Sequence, residues 1–236
     1  MYRPGNFNEL PVVVKNLLII NGLLFLATIS LSNLGIDLVK ILGLHQFQST
    51  DFRPHQLITH LFMHANFTHL FFNMFALWMF GKILENIWGQ KRFLIYYMIT
   101  GVGAAFIHLM ISQYQIISLG NEIPELVNIA IEGRYSPSVP LSKKLTQLII
   151  TPTVGASGAV FGLLLAFGML FPNALLYLYF AIPIKAKYFV IGYGILELYA
   201  GISNNPADNV AHFAHLGGMI FGYFLIKYWK KNTTFF

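Results

Sequence analysis

The chain has 236 residues, of which 56% are hydrophobic and only 10% charged, with a mean hydropathy of +0.62. Soluble domains carry about 25% charged residues, so this composition describes an integral membrane protein of several spans with no room for a second sizeable domain. The formal net charge of +6 would suit nucleic acid, but the placement of the Lys and Arg residues follows membrane topology instead. The lack of Cys excludes disulfides, thiolate metal sites and a cysteine nucleophile.

In chain order, residues 1–10 read as a polar tail. Val12 to Ser32, apolar but for Asn21, Lys15 and a few small polar residues, reads as a retained first span rather than a signal peptide. The mixed stretch from Asn33 to Asn66 carries Asp37, Lys40, Asp51, Arg53 and four histidines among Leu, Ile and Phe. It is expected to lie partly in the interface as short amphipathic helices. Phe67 to Trp88 makes a second span, with Asn66 or Thr68 placed to cap it and Gly89 to end it. Phe93 to Tyr114 makes a third. Residues 115–150 are polar and read as an outer connection, with a helix near Pro124–Ile131.

The fourth apolar run, Ser157 to Phe171, is only about 15 residues, or roughly 22 Å as a helix. The hydrocarbon core is about 30 Å thick, so one end of this helix must lie inside the membrane. Residues 172–187 form a connection with Pro172, Pro183, Lys185 and Lys187 as breakers and anchors. A fifth span runs from about Tyr188 to Ile202. A turn at Ser203-Asn204-Asn205-Pro206 leads to a sixth, Val210 to Trp229, and a basic tail. The expected organisation is a membrane domain at 11–229, including the 115–150 loop, between tails at 1–10 and 230–236.

Six spans put both termini on one side. That side then holds ten of the fifteen Lys and Arg residues, among them Lys82, Lys91, Arg92, Lys185, Lys187, Lys230 and Lys231. The positive-inside rule makes it the cytoplasm, and the start of the fourth helix faces outward.

That start reads Gly155-Ala156-Ser157-Gly158-Ala159-Val160-Phe161-Gly162. A hydroxyl at a buried helix N-terminus meets unpaired backbone N–H groups, which favour developing negative charge. A serine nucleophile needs a base, most often histidine. The sixth span opens with Ala211-His212-Phe213-Ala214-His215-Leu216-Gly217-Gly218 on the same outer side. His215 shares a face with Gly218 and Gly222. Gly158, Gly162 and Ala166 make a matching stripe on the fourth span, and such small-residue stripes let membrane helices approach closely. His215 is therefore preferred over His212, at an expected depth of about five residues, roughly 8 Å. His69 and Asn73, one turn apart at the outer end of the second span, can both donate hydrogen bonds to an oxyanion. His60 and His64 read as structural, holding the segment before that span.

These three motifs, with His64-Ala65-Asn66-Phe67-Thr68-His69-Leu70-Phe71-Phe72-Asn73 on the second span, resemble the rhomboid intramembrane serine proteases over about residues 50–225. The resemblance implies an all-α membrane protein, a six-transmembrane-helix rhomboid-like bundle with a short fourth helix, in a bacterial plasma membrane. It implies a dyad of Ser157 and His215 with no acidic third member. The oxyanion hole would comprise the Ser157 backbone N–H, His69 and Asn73, and Phe161 would pack its ring on His215 where many relatives carry Tyr. Gly155, Gly158 and Gly218 support the arrangement. Transmembrane proteins would be the substrates, with the lipid bilayer as setting and no cofactor, metal or nucleic acid. Glu197, ionisable within the fifth span, is by default a functional suspect, but reads as a hydrogen-bonded packing contact. Three rivals compete: a His-ligated metal or haem enzyme, an inactive rhomboid relative that binds membrane proteins, and a transporter. The last lacks inverted halves, and inactive relatives typically lose the serine or histidine.

Overall fold

The computed structural model describes residues 10–122, 145, 147–178, 181–203 and 210–232. The expected helix near 124–131 and the turn at 204–206 fall outside them. Six long helices appear among the described residues: Val12–Ser32, Phe67–Trp88, Gln90–Glu122, Ser157–Leu170, Ala186–Ser203 and His212–Asn232. The first three are long and apolar enough to cross a membrane by length and composition alone. The fourth falls short in length, and the fifth and sixth are diluted by Glu197, His212, His215 and lysines.

The fourth helix is apolar on every side, and nearly all of it from Gly158 to Gly168 is buried. A helix hydrophobic all round must be enclosed, and here the second, third, fifth and sixth spans pack around it. Outward faces are apolar too, with Leu23 and Leu26 on the first span and Ile191, Ile195 and Tyr199 on the fifth each at least 60% exposed. So much uncovered apolar surface is a lipid-facing surface.

The second span follows its sequence signals. The Asn66 side chain accepts from the His69 N–H at the start, and Gly89 adopts φ +77 at the end. A wider, π-type turn at Leu77–Gly81 interrupts it. Near its C-terminal end, buried Glu85 accepts from the backbone N–H groups of Val13 and Val14 at 3.0 and 2.8 Å. The first helix begins after Pro11 with no side-chain cap of its own. A carboxylate from another span therefore satisfies its first N–H groups, where the helix dipole favours negative charge.

Two expectations are corrected. The third span does not stop at Tyr114 but continues to Glu122, because Gln113 and Gln115 are good helix formers and no Pro intervenes. Gln46 and Gln48 clasp its C-terminal part through the Leu109 carbonyl and the Gln113 side chain. The connection at 172–187 contains an antiparallel hairpin, Leu175–Leu178 paired with Ile182–Lys185. The segment from 33 to 66 forms short helices, as expected, at Leu38–Leu42 and Gln56–Thr59, and from Gly43 onward much of it is packed into the protein. Leu44, Leu61 and Met63 are each 1% exposed there, and Leu44 pairs both backbone groups with Thr153, just ahead of the fourth helix.

Candidate active site

The chain entering the fourth helix is fastened from three directions. Leu44 holds the Thr153 backbone, His108 of the third span hydrogen-bonds the Thr153 hydroxyl at 2.8 Å, and the His60 carbonyl accepts from the Gly155 N–H at 2.9 Å. Gly155 has φ +126, a conformation that L side chains rarely adopt. A Cβ there would also lie 2.7 Å from the His69 ring. Glycine is thus required twice over, and its absent side chain lets His69 reach the serine loop.

Ser157 opens the helix with no side chain capping the end. Its Oγ lies 2.9 Å from His215 Nε2, although 58 residues separate them in sequence. His212 is the first residue of the sixth helix, so His215 sits in the first turn rather than five residues in. The Phe161 ring lies flat on His215, with centroids 4.1 Å apart and planes at 5°. The stack continues into the fifth span through Tyr193 and then Phe189, at 5.2 and 5.6 Å. On the other edge of the imidazole, His215 Nδ1 lies 2.8 Å from Glu197 Oε2, and His212 Nδ1 lies 2.7 Å from the same oxygen.

His69 and Asn73 face the same cavity as Ser157 and His215, a space of about 2050 Å³ that His60 and Phe161 also line. Asn73 donates one amide N–H to the His69 carbonyl at 2.9 Å and has a second N–H to offer. His64 sets its edge against His69, with centroids 5.1 Å apart. His60 and His64 lie outside the spans, and burial holds both well below the ordinary imidazole pKa, at about 4 and about 3. Both are therefore neutral near pH 7. His60 bonds the Gln56 carbonyl through Nδ1, a loop hydrogen bond of the kind expected for that residue.

Residues 51–231 match the Rhomboid domain family. The chain belongs to the rhomboid family. It is 31% identical over 181 residues to RHOMBOID-like protein 12, mitochondrial, of Arabidopsis thaliana, covering 75% of this chain and 46% of that protein. It is 28% identical over 186 residues to Rhomboid protein 1, mitochondrial, of Saccharomyces cerevisiae, covering 75% and 43%. With Rhomboid protease GluP of Bacillus subtilis it shares 27% over 176 residues, covering 72% and 25%. The matched region spans less than half the length of these three relatives.

Within this rhomboid bundle the glycine stripes divide their work differently from expectation. Gly218 rests on the backbone of Gly158, where a Cβ would collide with the peptide group, and this contact joins the fourth and sixth spans as anticipated. Gly162 instead faces Thr100, and Gly222 faces the Tyr96 hydroxyl, both on the third span. Tyr96 donates that hydroxyl to the Gly162 carbonyl at 2.8 Å. The stripes build a three-helix contact, which a two-helix reading of spacing could not separate from a direct pair.

The donor atoms of Glu197, His212 and His215 all lie within 4.8 Å of one another, which is also the spacing of a small metal site. The two N···O separations of 2.7 and 2.8 Å are hydrogen-bond lengths. Two ligands at zinc distances in a tetrahedron stand about 3.3 Å apart, so the cluster fits shared protons better than a shared ion.

Glu197 is the residue whose role the sequence reading understated. It is a hydrogen-bonded contact, as expected, but its partners are His215 and His212. The spacing within the fifth span gave it a face but did not name these partners. Phe189, Tyr193, Glu197 and Gly201 recur every four residues and share one face of the fifth helix.

Proposed function

We propose that this rhomboid is an intramembrane serine endopeptidase that cleaves transmembrane segments of other proteins. The observation that carries the reading is the 2.9 Å contact between Ser157 Oγ and His215 Nε2 at an uncapped, enclosed helix start. His215 takes the serine proton as Oγ attacks the scissile carbonyl, then gives it to the leaving amine. Water enters through the polar end of the cavity past His60 and His69 and, with His215 again as base, hydrolyses the acyl-serine. The developing oxyanion is met by the Ser157 backbone N–H, the His69 ring and the second N–H of Asn73.

A peptide bond inside a helix is hydrogen-bonded and sterically covered, so the substrate must unwind locally, and helix-destabilising residues near the outer end of its span ease this. The charge count supports cytoplasmic termini in a bacterial plasma membrane, with the site opening outward. The mitochondrial names of several relatives point to a second setting, a mitochondrial membrane, which localisation of the tagged protein decides.

The test pairs a fluorophosphonate probe with a reporter transmembrane substrate in liposomes. Wild type should label and cleave, and Ser157→Ala should do neither while keeping its melting temperature. Cleavage by Ser157→Ala at the wild-type rate would reject the mechanism.

A further inference from the structure

We infer that Glu197 is a positioning residue that converts the Ser157–His215 pair into a Ser–His–Glu triad, an inference that rests on the protease reading above. An ionised carboxylate can only accept hydrogen bonds. Glu197 Oε2 lies at hydrogen-bond distance from the Nδ1 atoms of both His212 and His215, so each histidine carries its proton on Nδ1. For His215 that leaves Nε2 bare, and Nε2 is the nitrogen 2.9 Å from Ser157 Oγ. The carboxylate thus selects the tautomer that can accept the serine proton.

Three further features place the group rather than merely accommodate it. His215 is fixed on each accessible side: Phe161 covers one ring face, Ser157 meets Nε2 and Glu197 meets Nδ1. Glu197 shares its helix face with Tyr193, which continues the stack that begins on Phe161. One turn further on, Gly201 admits Phe213 and His212, which a Cβ would meet at 3.1 and 3.3 Å. That close approach brings the outer ends of the fifth and sixth spans together at the carboxylate. A charged group inside a membrane span is costly, and Glu197 is only 8% exposed. Packing alone would be served by Gln or Leu at lower cost.

The proton path is closed. When Oγ bonds to the scissile carbon, its proton moves to His215 Nε2, and the resulting imidazolium keeps its Nδ1–H on the Glu197 carboxylate, which stays ionised. The same proton leaves with the amine, and the cycle repeats with water. His212 holds the other side of the carboxylate oxygen and so fixes its rotamer without touching the reacting atoms.

The experiment measures cleavage and fluorophosphonate labelling rate in Glu197→Gln, with wild type and Ser157→Ala as references. Gln keeps the shape and removes the charge. We expect kcat and the labelling rate to fall about 10²–10⁴-fold, with KM within about threefold and the melting temperature little changed. Glu197→Ala should lose as much, and added formate should restore part of it by occupying the vacated space. A wild-type kcat in folded Glu197→Gln, or a lower melting temperature with full turnover per folded molecule, would overturn the inference and leave the Ser157 reading intact. Zinc co-purifying at one equivalent, with activity lost to a chelator, would overturn it in favour of a metal centre. Failure of wild type itself to label would instead reject the protease reading.

Discussion

Gly218 of the sixth span sits on the backbone of Gly158 in the fourth, with no room between them for a single carbon. Gly158 directly follows Ser157, and Gly218 lies three residues after His215 on the same helix face. The backbone contact therefore sets the distance between the Ser157 hydroxyl and the His215 imidazole.

Gly218→Ala should accordingly lower both activity and stability, since overpacking costs about 1–3 kcal/mol and a 1 Å displacement can cost about 10²-fold in rate. Gly222→Ala should also be damaging, but through Tyr96 of the third span. Tyr96→Phe removes the hydroxyl that stands in the way. The double variant Gly222→Ala/Tyr96→Phe should be no less stable than the worse single, whereas Tyr96→Phe should do nothing for Gly218→Ala. Melting temperatures of the five proteins test this; simple additivity throughout would contradict the assignment.

His215→Ala should reduce cleavage by about 10²–10⁴-fold, the usual contribution of a general base. His212→Ala leaves the bond between Glu197 and His215 in place and should retain activity within about tenfold of wild type. Reversed phenotypes would transfer the base to His212.

Truncating His69 or Asn73 should lower kcat more than it raises KM, because an oxyanion forms only after attack. One such donor is worth about 10²–10³ in kcat elsewhere, and neighbouring donors compensate in part. Asn73→Ala should show a partial loss, and His69→Ala a similar or larger one. A fall in melting temperature with unchanged turnover per folded molecule would make both residues structural.

Acid should destabilise the fold through His60. Its pKa is about 4 in the folded protein, lowered by burial against the opposing Gln56 bond, and 6.5 when unfolded. Between those values the unfolded chain binds more protons, so stability falls as pH drops through the window and is unaffected by this group above it. The loss accumulates to roughly 3 kcal/mol near pH 4, at about 1.4 kcal/mol per unit. His64, lowered to about 3 chiefly by burial, adds in the same direction. Melting in detergent from pH 7 to pH 4.5 should show a shallower decline for His60→Gln than for wild type.

Glu85→Ala should cost about 2–3 kcal/mol by orphaning the Val13 and Val14 N–H groups. Turnover per folded molecule should persist, because Glu85 lies about 24 Å along the helix from His69. Equal losses of kcat and stability would tie the first span to the site.

The sequence alone determined what local spacing encodes. Hydropathy marked the six helices, the length of the run after Ser157 made the fourth one short, and Asn66 and Gly89 bounded the second. The Gly155–Gly158 and His212–Gly218 motifs pointed to Ser157 and His215 as candidates because a hydroxyl at a helix start and an imidazole beside small residues are local patterns. Tertiary structure decided what depends on which helix turns which face to which neighbour. A stripe of glycines states that something comes close but not what, so only the packed bundle assigned Gly222 to Tyr96 and Gly218 to Gly158. Glu197 was visible as a charge in a span, but its meaning required the fifth and sixth helices to meet at Gly201 and bring one carboxylate oxygen to two imidazoles. Glu85 likewise gains its role from Val13 and Val14, more than seventy residues away in the chain. A buried charge is placed by partners distant in sequence, and no periodicity within one segment records them.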